Sequence, residues 1–338
     1  MNKFTHLQDW LALSDEARLE RFRIAGEKSE LSVAAVEKDW WVTHTLSIIF
    51  SMSCAKALVF KGGTSLSKAW RLIERFSEDI DLALDREFLG FGGELSHTQI
   101  RKLRTASYDF LSTKFTDELS NKFTTLGFKD VKVKYREMVN HDQDPLIIEI
   151  YYPKLTEKDS YLRPGVLVEV GSRSLKEPFT ERSFGSIVSE VFPNLPFADK
   201  PATVPSVNPE RTFLEKVFLL HEEYQRPAKK IRVARLSRHL YDIERLSRTS
   251  YFQKAMSDAN LYNTIVAHRN HFSHLAGIDY AKHAPGYIRI VPPDNLLPLW
   301  AKDYQELVET MIYGERLPFE ELIRRMEEIQ ITINNIKT

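Results

Sequence analysis

A single cysteine, Cys54, stands among 338 residues, so the chain forms no disulfide within itself and cannot hold a cysteine-rich zinc site. No apolar run approaches the roughly 18 residues that a membrane-spanning helix needs. Neither sign of charge prevails: Lys+Arg and Asp+Glu each total 47. Global charge therefore names no partner, and a nucleic-acid surface would have to be a local patch. A Walker P-loop is missing, because no glycine-rich segment ends in the lysine and serine that would grip phosphates. The opening MNKFTHLQDW lacks the apolar core of a signal peptide, so the expectation is a cytoplasmic protein with no membrane contact.

What remains is an ordinary globular composition, 43% apolar and 28% charged, which excludes a disordered chain. The length exceeds what one hydrophobic core usually organises, so two domains are expected. Residues 14–54 read as helical, with Ser14 and Ser32 as starts and Val33, Val36, Trp40, Trp41 and Ile48 on the second helix. Short strands and helices then alternate. Strands are expected at 57–60, 80–84, 131–135, 146–152 and 166–170, and helices at 65–75 and 98–126. Residues 192–209 hold five of the 15 prolines, which should prevent regular pairing and mark a boundary. Helical patterns dominate beyond it, at 209–225, 228–248, 251–276 and 299–335 with a break near Gly314. The expected division is N-terminal helices over 1–56, a mixed α/β domain over 57–200 and a helical domain over 205–338.

The chemistry concentrates in Lys61-Gly62-Gly63-Thr64-Ser65 and Ser77-Glu78-Asp79-Ile80-Asp81-Leu82. Two glycines after a strand let the backbone approach a ligand closely. The helix that follows presents unsatisfied N–H groups and a positive dipole end, which suits a triphosphate. Thr64 and Ser65 can cap that helix or bond a phosphate oxygen. Asp79 and Asp81 project from one face of a strand with Cα atoms about 7 Å apart, a span for carboxylates that converge on magnesium. Ile80, Leu82 and Leu84 point the other way, into the core. Alone, a Gly-Gly turn or an acidic pair is usually structural; strand, Gly-Gly, helix and acidic strand together favour function.

Five segments make the chain resemble the AbiEii/AbiGii nucleotidyltransferase toxins, which share the DNA polymerase β-like nucleotidyltransferase fold. They are VEKDWW (36–41), FKGGTSLSKAW (60–70), RFSEDIDL (75–82), FLEKVFLL (213–220) and SRHLYDIERL (237–246). The resemblance implies an α+β protein: a nucleotidyltransferase core of mixed sheet and flanking helices, plus a helical C-terminal domain. Gly62 and Gly63 would form the nucleotide-binding turn, and Asp79 and Asp81 would hold metal. Lys216 and Asp242 would be the lysine and aspartate on which activity depends. A third carboxylate is expected on a neighbouring strand. Glu169 is preferred to Glu149, because a polar, arginine-bearing turn follows it as in the family. Two magnesium ions, with manganese as the alternative, would then serve transfer of NMP from an NTP. Lys216 would stabilise the phosphates, and Asp242 would orient the nucleotide or act as a base. The acceptor implied is the tRNA 3′ end, with a protein as the alternative. A toxin role is also implied, beside an antitoxin that acts without a stable complex.

Blander and competing readings stand beside these. Lys216 could be a solvated helix residue, and Asp242 could pair with Arg238 or Arg245 at helical spacing. Residues 226–239 carry six Arg or Lys and no acid, either an RNA-facing stripe or a solvated face. Arg269-Asn270 and His274 have a spacing found in some helical ribonucleases, and His268, His271 and His274 recur at i, i+3. A catalytically silent nucleotide-binding or antitoxin-binding module is the remaining class.

Overall fold

The computed structural model describes residues 4–137, 144–157, 162–172, 178–273 and 275–336. They form two compact units: residues 1–70 with 76–207, and residues 71–75 with 208–338.

In the first unit, three helices precede the sheet: α1 (Thr5–Leu11), α2 (Asp15–Ser29) and α3 (Val33–Ile49). Ser14 and Ser32 cap α2 and α3, each hydroxyl accepting a backbone N–H of the first turn. Helix α3 is buried almost all round, including Glu37, Lys38 and Asp39. A helix without a polar face lies within a core rather than on it. Trp40 stacks on Trp10 and Trp41 on Tyr152, filling the space beside it.

Strand β1 (Leu58–Lys61) runs into α4 (Gly62–Thr64), whose helical path continues through Ser65–Ala69 and stops at Trp70. Next come β2 (Asp79–Leu84), α5 (His97–Phe110), α6 (Thr116–Thr125), β3 (Lys132–Tyr135), β4 (Leu146–Tyr151) and β5 (Val166–Gly171). Then follow β6 (Phe179–Phe184), α7 (Ile187–Val191) and β7 (Ala202–Val207). The seven strands lie in the order β3-β4-β5-β2-β1-β7-β6, with β2 antiparallel to β1 and parallel to β5. The acidic strand is therefore the middle of the sheet, and Ile80, Leu82 and Leu84 are fully buried beneath it. The edge strands are polar. Lys132 and Lys134 are exposed on β3, and β6 carries Glu181 and Arg182.

Two expectations fail here. The proline-rich stretch is not unpaired: β7 joins the sheet between β1 and β6 despite Pro205. Proline removes one ladder donor, and β7 tolerates this because only Phe60 and Ser206 are in register between it and β1. The helix expected to reach residue 75 ends at Ala69, and Arg71–Arg75 go with the second unit.

The second unit is helical: α8 (Pro209–Tyr224), α9 (Ser237–Ser247), α10 (Ser250–Ser257), α11 (Ala259–His268), α12 (Leu297–Thr310) and α13 (Phe319–Asn334). Pro209 occupies the first turn of α8, where no N–H is required of it. The helix expected over 228–248 forms only from Ser237, and the 251–276 pattern divides at Asp258, which caps α11. Near the end of α8, His221 accepts the Arg289 N–H at 3.0 Å. Burial, with His283 nearby, pushes its imidazole down to about 4. His221 therefore charges more readily in the unfolded chain than in the folded one. Its contribution is complete above pH 6.5 and drains away as pH falls towards 4, to a limit on the order of 3 kcal/mol. Urea denaturation of His221→Gln between pH 7 and 4.5 should show a shallower loss of stability than the parent; parallel curves would contradict this.

Candidate active site

The sheet brings the expected carboxylates to one face. Asp81 is in register with Glu169 on β5 and with Lys61 on β1, and Asp79 lies two residues earlier on the same face. Asp79 is 9% exposed and Asp81 is half-buried. Asp79 lies 4.0 Å from the guanidinium of Arg163. Glu149 sits one strand further out, where Arg136 (2.5 Å) and the Tyr151 hydroxyl (2.6 Å) occupy it. Those bonds hold its carboxyl below the usual range, led by the tyrosine. Of the two glutamates, Glu169 is the neighbour of Asp81. Arg173, in the turn that recommended Glu169, lies outside the described residues.

Gly62 is required twice over. Its φ of +76° lies in the left-handed region, and a β-carbon there would overlap the Asp81 carboxylate. The glycine thus clears the place where that carboxylate sits. Thr64 is fully buried; its hydroxyl donates to the Asp79 carbonyl and lies 2.9 Å from the Ser77 hydroxyl. Thr64 therefore ties the turn to the acidic strand. The Ser65 hydroxyl, on a residue 2% exposed, has no hydrogen-bond partner among the described residues.

Magnesium takes one or two carboxylates and completes its shell with water and phosphate oxygens. Asp79, Asp81 and Glu169 on one sheet face form a donor set of that kind. Among the described residues, no group of three or more His, Cys, Asp or Glu side chains is placed to hold a metal ion. The chemistry of Asp79, Asp81 and Glu169, hard carboxylate oxygens, is of the kind magnesium takes.

In the helical unit Lys216, on α8, lies 2.9 Å from Asp242 on α9. Arg75 forks onto the same carboxylate with bonds of 2.7 and 2.8 Å. Asp242 is completely buried. Burial alone would raise its pKa, but Arg75 and Lys216 outweigh that and hold it well below the usual carboxylate range. A carboxylate so stabilised is a weak base, so the geometry suits orientation of Lys216 rather than proton abstraction. Asp242 does not take the partners expected from helical spacing. Arg245 instead reaches Glu74 and Glu315. Arg75 and Arg163 were not singled out from the sequence, because their partners are distant along the chain.

The competing constellations also make structural contacts. Arg269 forks onto buried Glu222, which His283 also contacts at 3.2 Å. His268 stacks on Phe272 and His271 meets the edge of the same ring. His274 lies outside the described residues. In the cationic stripe, Arg226 and Arg232 pair with buried Glu223, while Lys229 and Lys230 are exposed.

Comparison with known proteins matches residues 50–325 to the family described as nucleotidyl transferase AbiEii toxin, type IV toxin–antitoxin (TA) system. The chain belongs to this family of nucleotidyltransferase toxins. No curated protein matches it in sequence. Solved structures similar to it include JHP933 from Helicobacter pylori, at 12% identity over 90% of this chain and 93% of that one, with a TM-score of 0.43. Another is the nucleotidyltransferase toxin MenT4 from Mycobacterium tuberculosis H37Rv, at 15% identity over 94% and 99%, also with a TM-score of 0.43. No helix among the described residues is long and apolar enough to cross a membrane.

Two expectations follow from this geometry. Gly62→Ala should displace the Asp81 carboxylate and lower kcat/KM by about 100-fold; a melting temperature within a few degrees of the parent would separate this from unfolding. Asp242→Asn should deprive the buried Lys216 ammonium of its carboxylate and cost about 3 kcal/mol in urea denaturation. A near-neutral result would mean that Lys216 and Arg75 reach solvent when the pair is broken.

Proposed function

We propose that the chain transfers a nucleoside monophosphate from an NTP to the 3′ end of tRNA, at a magnesium site made by Asp79, Asp81 and Glu169. The observation that supports this most directly is the carboxylate of Asp81 lying where only a glycine at 62 leaves room, with Glu169 in register beside it. Gly62 and Gly63 keep side chains away from the triphosphate, and the helix after them offers N–H groups to its oxygens. Thr64 braces this turn rather than meeting the phosphates, since its hydroxyl is engaged inside. The Ser65 hydroxyl, lacking a partner among the described residues, is a candidate donor to a phosphate oxygen. Magnesium, when bound, would supply Lewis-acid stabilisation of the phosphoryl oxygens and a more acidic acceptor hydroxyl.

Lys216 keeps the role implied by the family, a cation for the charge that develops on the phosphates. Asp242 and Arg75 hold it in place. For an RNA acceptor, Lys229, Lys230 and Arg232 are exposed in the basic stripe, and the two lysines offer phosphate contacts. The type IV toxin–antitoxin family implies an antitoxin, which we take to act without a stable complex.

The test supplies the purified protein with each α-labelled NTP, magnesium, total RNA and cell protein. Label should move onto tRNA-sized RNA with one NTP preferred, and it should disappear with EDTA or with Asp79→Ala. Label on protein would replace the acceptor and keep the chemistry. Full transfer by Asp79→Ala would overturn the site.

A further inference from the structure

Glu37, Lys38 and Asp39 are consecutive residues of α3, and all are at most 3% exposed. Successive side chains leave a helix about 100° apart, so one turn can reach three different segments. Glu37 accepts the N–H groups of Leu155 (2.8 Å) and Thr156 (3.1 Å), in the chain after β4. Lys38 donates to the carbonyls of Arg163 (2.7 Å) and Gly165, just before β5, and lies 3.3 Å from Glu78, just before β2. Glu78 closes the circuit by accepting the Arg163 N–H at 3.0 Å. Asp39 accepts from Lys68, on the helical turn that follows Gly62-Gly63, and from the Ile187 N–H at 2.8 Å.

Such a run is expensive as mere packing, because a buried charge is tolerated only when paired and hydrogen-bonded. Two of its three targets lead directly into the candidate site. The Lys38 circuit joins the beginnings of the strands that carry Asp79, Asp81 and Glu169. The Asp39 contact grips the helical turn that opens with Gly62-Gly63.

We propose that Lys38 and Asp39 are positioning residues for nucleotidyl transfer, Lys38 setting the register of the carboxylate strands and Asp39 setting the nucleotide turn. This rests on the site reading above. Neither residue touches substrate in this scheme; each acts through the segment it holds. The two therefore fail differently. Loss of Lys38 loosens the carboxylates and weakens the chemical step, while loss of Asp39 loosens the turn and weakens NTP binding.

The experiment compares Lys38→Met, Lys38→Arg, Asp39→Asn and Asp79→Ala in the full-length chain, by steady-state kinetics, magnesium titration and hydrogen exchange without nucleotide or metal. Lys38→Met should lower kcat about 100-fold with KM for NTP within about twofold, and should raise the half-activating magnesium concentration. Lys38→Arg should recover most of the loss. Asp39→Asn should raise KM for NTP about tenfold with kcat nearly kept. Peptides spanning 78–84 and 162–171 should exchange faster in Lys38→Met only. If Lys38→Met fails to fold, Glu78→Gln takes its place with the same expected direction in kcat and exchange. Equal losses in kcat and KM that track the folded fraction, or no recovery in Lys38→Arg, would overturn the proposal. An inactive Asp79→Ala beside a fully active Lys38→Met would also overturn it while leaving the site standing; an active Asp79→Ala would instead remove the site itself.

Discussion

The first unit is organised around one buried ammonium group. Lys38 has two carbonyls and a carboxylate as partners, all far away in sequence, and an unpaired charge at that depth would be untenable. Satisfying it obliges the segments before β2 and β5 to meet beside α3. Once they meet, the parallel pairing of β2 with β5 follows in a fixed register, and a one-residue slip would turn Asp79 and Asp81 into the core. The face of the sheet that bears the expected ligands thus takes its register from a helix that carries none of them.

The helical unit uses the same principle with the signs reversed. There one carboxylate, Asp242, is the buried hub and two cations are its spokes. Arg75 contributes a planar fork, whereas Lys216 contributes a point charge on a flexible stem. The fork fixes the orientation of the carboxylate, and the lysine takes its place from what is left. An aspartate so used organises a cation; it does not compete for protons near neutrality.

The sequence made some of this plain and hid the rest for identifiable reasons. The acidic strand was readable because a period of two placed Asp79 and Asp81 opposite Ile80 and Leu82, and the middle of the sheet rewards that alternation. The Gly-Gly turn was readable as a turn, but its need for glycine at 62 depends on a carboxylate nineteen residues away and has no local signature. Strands β6 and β7 escaped because one is polar on both faces and the other contains proline, so neither has the apolar pattern of a strand. The role of Glu37-Lys38-Asp39 was also hidden. Three charges in a row on a helix ordinarily mean solvent, and here all three are at most 3% exposed. Arg75 and Arg163 went unnoticed because an ion pair between distant residues leaves no spacing to read.

The ends of the sheet bear on how other chains meet this one. An edge strand with free backbone groups invites a foreign strand to add to it. On β3 the exposed lysines would be brought together with whatever approached, and on β6 the mixed charges Glu181 and Arg182 would have to find partners before any ladder closed. Both features act as gatekeepers against self-association through the sheet.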